Sequence, residues 1–409
     1  MANSLSASFP EYWSRRMQRQ YYKTKVFKMI SNMEEQKLLK NGDIVHRPYR
    51  SDLTSNAMGS EGAYTRQDIT DTDESLTINQ EPETTFYVRE ADAIQSNYKT
   101  ANEYADDAGD VIGDVIDGAI LGEYDQKFSG NQVGNYELGG GGSAGDGIGF
   151  TASTANIWKV FGLANQKLNA LSIPLQNRWA IISPEFYNTL WEFLQGKDSN
   201  LGDKVGVDGH VGTYSGMEIY MSNNLGWSAR LEFGTNPTNT DTITINGVVL
   251  TWLATLGTTA GNIHICSDAE NSLNQLVAAI NTPGTSVDSA TDAGFVAVSA
   301  ANQILLKNIT ATDGATYMTL KATAKSYVAV SETLTAAADI WTTTKQIQHQ
   351  LFGQNKPIDL VIQKYANLVT KDRSGYIGKD FVTWTLFGKK TFREGTKQIV
   401  DIETRSDGY

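Results

Sequence analysis

Four histidines, a single cysteine and a dense set of acids are the residues of this 409-residue chain with chemistry to offer. His46, His210, His264 and His349 lie far apart in sequence, and none falls in a metal-ligand spacing. Asp208-Gly-His210 could be half of an acid–base pair, but its glycine-rich surroundings read as a turn. The acidic run Asp68 to Glu74, DITDTDE, superficially resembles a calcium loop, yet it lacks the central glycine and closing glutamate such a loop requires. The glycines between Gly139 and Gly149 lack the Gly-Lys-Ser/Thr ending of a phosphate loop, and no strand feeds them; they read as a flexible loop. Cys266, in the strand-like IHIC, reads as a small buried hydrophobe, and one cysteine excludes an intrachain disulfide framework. No catalytic constellation, metal-ligand set or cofactor motif emerges.

The densest acids belong to Tyr98 to Lys127, YKTANEYADDAGDVIGDVIDGAILGEYDQK, which carries eight acidic residues and no basic one between Ala101 and Gln126. Apolar residues recur there at Ala101, Ala105, Ala108, Ile112, Ile116 and Ala119, with Tyr104, Val111, Val115 and Ile120 widening the stripe. That spacing predicts an amphipathic helix. Glu103, Asp107, Asp110, Asp114 and Asp117 form a second stripe two residues out of step, about 200° around the helix, and so are expected opposite the buried face. These acids are too many and too regular for a general acid and base, whose environments must differ. Like charges at i,i+4 cost a few tenths of a kcal/mol per pair, and Gly109, Gly113 and Gly118 add about 1 kcal/mol each relative to alanine. The helix therefore calls for a sheet under its apolar face and cations over its acidic one.

A source of cations lies at the N-terminus. Ser8 and Glu11 form a capping box around Pro10 for a helix through YWSRRMQRQYYKTKVFKMI. Up to Lys28, six cations (Arg15, Arg16, Arg19, Lys23, Lys25 and Lys28) face one acid, a local charge of +5. Such a run is either a solvated helix face or an arm that docks on an acidic surface. The whole chain has a formal net charge of -12, which argues against wrapping nucleic acid as its main task. No apolar run approaches the ~18 residues a membrane span needs, and the first residues lack a signal peptide's apolar core; a soluble protein folded in a cytoplasm is expected.

Along the chain, DIVHRPY (from Asp43) reads as a strand, and SLTIN and TTFYVRE as two more joined by the turn QEPE in a polar, two-stranded excursion. Such an excursion is marginal alone and must lie on a neighbour. Thr154 to Leu171 is an amphipathic helix, RWAIISP a buried strand, and Glu185 to Leu194 a helix started after proline. From Ser228 to Lys345 the texture changes to 22 threonines in 118 residues and few aromatics, with a hairpin expected at Asn246-Gly247 and a helix at NSLNQLVAAIN. Three strand-like runs, DLVIQKYANL, DFVTWTLFGKKTF and QIVDIET, close the chain. An arm, an excursion and an acidic helix that all need neighbours suggest a self-assembling structural protein.

Four segments, taken in order, resemble the major capsid (coat) proteins of tailed bacteriophages, the Hong Kong ninety-seven fold. SLTINQEPETTFYVREADAIQSNY resembles the second limb of that family's extended loop, and RWAIISPEFYNTL its strand-proline-helix step. GHVGTYSGMEIYMSNNL resembles its glycine hairpin, and TLFGKKTFREGTKQIVDIE its closing strand pair. The resemblance implies an α+β phage capsid fold carrying an inserted, small, strand-rich α+β domain. Its parts would be an N-terminal arm over 1–42, a strand and extended loop over 43–97, a spine helix over 98–127, peripheral and axial parts over 128–227 and 347–409, and the insertion over 228–346. It implies a non-enzymatic protein that assembles with itself, as pentamers and hexamers, into an icosahedral head shell. That shell would enclose double-stranded DNA without sequence-specific binding, in the virion, after assembly in the host bacterial cytoplasm. A portal and separate scaffolding or head-auxiliary proteins would be its partners, with no cofactor, metal or membrane. Arg15, Arg16, Arg19 and Lys23 on one side, and Glu103, Asp107, Asp110, Asp114 and Asp117 on the other, become candidate inter-subunit contacts. A protein nanocompartment shell of the same fold, a phage tail or adhesin protein, and a hydrolytic phage enzyme using a carboxylate pair are the alternatives.

Overall fold

Strand-forming runs dominate the chain, and the computed structural model gathers them into three sheets around one long helix. It describes residues 25–37, 42–58, 62, 64, 66–91, 100–141, 148–197, 212–289, 293–322, 328–336, 341, 346–372 and 375–406. The elements that position the rest begin with β1 (Ile44–Arg50), β2 (Asp71–Gln80), β3 (Glu83–Arg89) and the long helix α1 (Thr100–Leu121). They continue with α2 (Ile157–Ala170), β4 (Arg178–Ile182), α3 (Pro184–Gln195), β5 (Met217–Met221), β6 (Trp227–Glu232) and β7 (Tyr317–Ala322). The chain ends in β8 (Gln346–Gln354), β9 (Ile358–Asp372), β10 (Gly378–Thr391) and β11 (Ile399–Ser406).

The nine-stranded sheet is built on β8, which is buried along its whole length. β11 runs antiparallel along one side of it, from Gln346↔Ser406 to Gly353↔Ile399. On the other side β6 pairs with its first residues and β4 with its last, so two strands share one edge end to end. Side chains of β4 alternate between two cores, as a strand's period of two requires. Ala180 and Ile182 pack under α2 and α3, where Phe352 sits among Phe161 and Phe186. Trp179 and Ile181 face the opposite way, with Leu351, toward Ile112, Ile116, Ile120 and Leu121 of α1. The sheet is thus sandwiched between helix layers. Ser183 caps α3 by accepting a bond from the Phe186 N–H, with Pro184 at the first helical position.

A six-stranded sheet holds the long β9–β10 hairpin together with β1, β2 and β3. The expected pairing of SLTIN with TTFYVRE is corrected here. β2 pairs with β1 in register from Ile44↔Thr77 to Arg50↔Asp71, while β3 continues past Pro82 and pairs along β10. Proline denies the ladder a donor, so the chain steps over to a new stretch of β10 instead of turning back. β2 also touches β10 at Gly388, where a Cβ would lie 2.5 Å from the Thr77 carbonyl oxygen; only glycine allows that approach. The β1–β2 hairpin projects beyond the sheet. Leu53, Met58, Tyr64 and Ile69 in its connecting segment are all strongly exposed.

Residues 242–332 contribute the second six-stranded sheet, with helix Ala269–Asn281 packed on it and Trp252, Leu273 and Leu276 in its core. Asn246 and Gly247 both take positive φ, 49° and 81°, making the tight hairpin that the Asn-Gly pair predicts. That core is continuous with β6 and β7, which belong to the nine-stranded sheet.

Replacing Phe352 with alanine is expected to destabilise the unassembled chain by about 3–5 kcal/mol, because both helix and sheet atoms lose contacts. Leu53→Ala should change it by less than about 0.5 kcal/mol. Urea denaturation of the two variants gives the comparison, and equal losses would contradict this description of the core.

Candidate functional site

The acidic helix is where the chain's separate parts meet. Asp117 is fully buried, and one of its oxygens accepts hydrogen bonds from the backbone N–H groups of Val26 and Phe27, both at 2.8 Å. Its other oxygen accepts from Asn224 Nδ2 at 2.7 Å. Lys25 reaches Asp110 at 2.7 Å by crossing α1 over Gly113, where a Cβ would lie 3.0 Å from Lys25 Cε. The expectation that the acids lie opposite the buried face is therefore corrected for Asp114 and Asp117, which are both buried. The reason is that Val26, Phe27 and Ile30 pack onto a second side of the helix, so α1 is covered from two directions. Asp117 is engaged within its own chain. Asp106 and Tyr104 are exposed, and Asp107 and Asp110 half-buried. Arg15, Arg16, Arg19, Lys23 and the Glu103 side chain lie outside the described residues.

The C-terminal end of α1 gathers cations that the sequence reading did not assign. Lys389 of β10 donates to the Ala119 carbonyl at 2.6 Å and pairs with Glu123 at 2.7 Å. Lys321 of β7 donates to the Gly122 carbonyl at 2.9 Å, pairs with Asp125 at 2.5 Å, and lies over the Tyr124 ring. The last carbonyls of a helix lack intrahelical donors and carry the negative end of its dipole, so an ammonium there supplies both a donor and a countercharge. One lysine comes from each of two sheets, which fixes the helix end relative to both.

Beneath this end lies a buried polar chain. Ser228 Oγ is 2.7 Å from His349 Nε2, and His349 Nδ1 is 2.9 Å from Asp401, which also accepts from Lys127 at 2.8 Å. The Tyr124 ring stacks on the imidazole with centroids 3.7 Å apart. It fits there because Gly226 has no Cβ, which would lie 2.4 Å from the ring. Burial pushes the Tyr124 phenol well above its ordinary pKa, keeping it neutral. Burial also pushes Asp401 upward, but His349 and Lys127 outweigh it and leave Asp401 below the ordinary carboxylate value. Burial opposes the Lys127 charge, yet Asp401 more than compensates and its pKa is raised.

Serine, histidine and aspartate in this order have the connectivity of a nucleophilic triad. Here the serine belongs to a strand paired on both edges and is 6% exposed, so its oxygen is shut off from a substrate carbonyl. His349, Asp401 and Glu403 also bring ligand-type atoms within 4.8 Å of one another. Both imidazole nitrogens are engaged by Ser228 and Asp401, however, and Lys127 supplies the positive charge beside the carboxylate. The chemistry this arrangement performs is bracing: it ties β6, β8, β11 and the turn after α1 into one network. Its sequence signal is faint. Asp401 and Glu403 lie two apart in a strand and so on one face, and His349 is the register partner of Glu403. Cys266 is buried, as its setting predicts.

No family model and no curated protein sequence matches the chain. Solved structures do. A structure from Mycobacterium phage Che8 shares 14% identity and a TM-score of 0.57, over 96% of this chain and 96% of that one. The capsid structure of cyanophage P-SCSP1u shares 11% identity and a TM-score of 0.55, over 98% and 94%. The capsid of Ralstonia phage GP4 shares 8% identity and a TM-score of 0.52, over 97% and 95%. The chain has the mixed α+β fold of the cyanophage and Ralstonia phage capsid structures. No described helix is long and apolar enough to cross a membrane.

Asp401→Asn leaves Lys127 without its buried countercharge and should destabilise the chain by about 3–5 kcal/mol at neutral pH. Because the native carboxyl titrates below its ordinary value of 3.8, its contribution is complete above that pH and is lost as pH falls through the lowered native value. Urea midpoints of both chains from pH 7 to pH 3 should converge at the acid end. A gap that stays constant would show that the charge of Asp401 is not what stabilises.

Proposed function

We propose that the protein is the major capsid protein of a tailed bacteriophage, whose copies form pentamers and hexamers of an icosahedral head shell around double-stranded DNA. The observation that carries this reading is the likeness to capsid structures over nearly the whole of both chains, at 98% and 94% for that of cyanophage P-SCSP1u. The role is structural, the destination is the virion, and the chain's main partner is itself, with a portal and separate scaffolding or auxiliary proteins joining during assembly in the host.

The physics of the chain suits that role. A closed shell needs repeated contacts between different surfaces of identical subunits. The projecting β1–β2 hairpin offers Leu53, Met58, Tyr64 and Ile69 to an adjacent copy. The basic arm would continue from Lys25, already paired with Asp110, along Asp107 and Glu103 of its own or a neighbouring helix. Each exposed pair contributes only about 0–1 kcal/mol, but many copies with several pairs each would bias assembly and make it salt-sensitive. The net charge of -12 suits a wall that confines DNA without gripping it. The segment over 228–346 would act as a stabilising or host-facing module on the shell.

Negative-stain microscopy of the purified protein should show hollow closed shells; isolated globular particles with catalytic turnover, rings or fibres would overturn the proposal. Changing Arg15, Arg16 and Arg19 together to glutamate should sharply reduce shell yield, most at low salt. An unchanged yield would remove the arm from the assembly mechanism.

A further inference from the structure

We propose that Arg47 is a positioning residue that couples the angle of the projecting β1–β2 hairpin to the seating of the N-terminal segment, an inference that rests on the shell-forming role proposed above. Arg47 lies at the root of β1, half-buried, and its guanidinium is held from three sides. It grips Asp359 of β9 with two nitrogens, at 3.1 and 3.0 Å, in the two-pronged geometry that only arginine provides. The nitrogen at 3.0 Å also donates to Glu35 at 2.6 Å. Its plane covers the Phe392 ring, 4.1 Å from the centroid.

Glu35 belongs to the short turn Glu34–Lys37, which directly follows the two residues that join the N-terminal segment to β9 through Ser31↔Ile358 and Asn32↔Asp359. Asn32 donates to the same Asp359 carboxylate at 2.9 Å. One buried carboxylate, 4% exposed, therefore receives the N-terminal segment and the hairpin at once. Burial pushes that carboxyl above its ordinary pKa in spite of Arg47, so it is poorly solvated and depends on these donors.

The surroundings allow the hairpin to turn. On one side its root packs through Leu76 and Ile78 onto Val361 and Phe392, a small apolar pivot. On the other lies a cleft of about 220 Å³ between Arg47, Pro48, Tyr49 and Glu74 and the wall formed by Lys356, Pro357 and Gly395. Only polar ties cross it. Tyr49 donates to Glu394 at 3.0 Å, the Arg393 guanidinium lies 4.4 Å from the Tyr49 ring centroid, and the Arg393 backbone N–H donates to Glu74 at 3.1 Å. A pivot with space beside it sets no single angle; the ties across the space do. Because Arg47 shares its donors between Asp359 and Glu35, withdrawal of the N-terminal segment takes Glu35 from Arg47 and Asn32 from the carboxylate that Arg47 grips.

A mutant cycle in the full-length chain tests the coupling. Glu35→Gln should speed hydrogen exchange of amides 44–50 and 71–77 by three- to tenfold in the unassembled protein, leaving β8 unchanged. Combined with Arg47→Ala, the same substitution should add nothing further, since its only route to the hairpin is gone. If Arg47→Ala does not fold, Arg47→Met, which keeps a stem over Phe392 but loses both charge and fork, takes its place. Exchange that is unaffected by Glu35→Gln, or effects that simply add, would overturn the coupling. Where wild-type shells form, Glu35→Gln should broaden their diameters as seen by electron microscopy, and uniform diameters would count against control of the angle. If wild-type protein forms no shells, the capsid reading fails, and the exchange cycle judges the coupling by itself.

Discussion

A carboxylate sealed from water near the end of a long helix must be fully satisfied, and here that demand organises the molecule. Asp117 takes two backbone N–H groups from the N-terminal segment and one amide from Asn224, so removing any partner leaves a buried charge short of donors. The helix and the turn that follows it carry eight acids and no cation between Ala101 and Gln126, so their neutralisation has to come from elsewhere. It comes from Lys25 upstream, Lys389 in one sheet and Lys321 in another. Each is remote in sequence. The helix is consequently the place where the N-terminal segment and two of the sheets are registered against one another, and its lack of intrinsic stability is what makes that registration obligatory.

The same economy governs the nine-stranded sheet. β8 is buried on both faces although glutamines make up four of its nine residues, and each makes at least one side-chain hydrogen bond. Gln350 bonds with the Ser183 N–H and with Thr404, and Gln346 accepts from the Val328 N–H. Buried polar side chains cost stability when unmatched, so they favour one register over its alternatives. The Ser228–His349–Asp401–Lys127 chain does this at the strand's centre, joining four separate stretches of sequence.

Much of this architecture was legible in the sequence because it follows from local periodicity. The long helix, the strand-proline-helix step at Arg178 to Gln195, the Asn246-Gly247 hairpin and the three closing strands all carry their signals within a dozen residues. What escaped was non-local. Whether SLTIN pairs with TTFYVRE or with DIVHRPY depends on which strand of the sheet receives them, and Pro82 alone does not decide it. Asp114 and Asp117 read as solvent-facing because periodicity knows only one buried side, whereas Val26, Phe27 and Ile30 create a second. The buried network was invisible for the same reason: its members are separated by up to 274 positions, as Lys127 and Asp401 are.

The pairing of Ser228 with Ile347 has a consequence of another kind. The chain leaves the nine-stranded sheet after β6, returns to it through Ile309–Asp313 and β7, and comes back once more on β8, so that more than a hundred residues separate two points about one strand spacing, ~4.8 Å, apart. A segment with such close ends can gain or lose residues in its own sheet without moving the points at which it joins the rest. The limit on that freedom is β7, which pairs along β6 and whose Lys321 holds the end of α1. A replacement would have to bring its own cation to the Gly122 carbonyl.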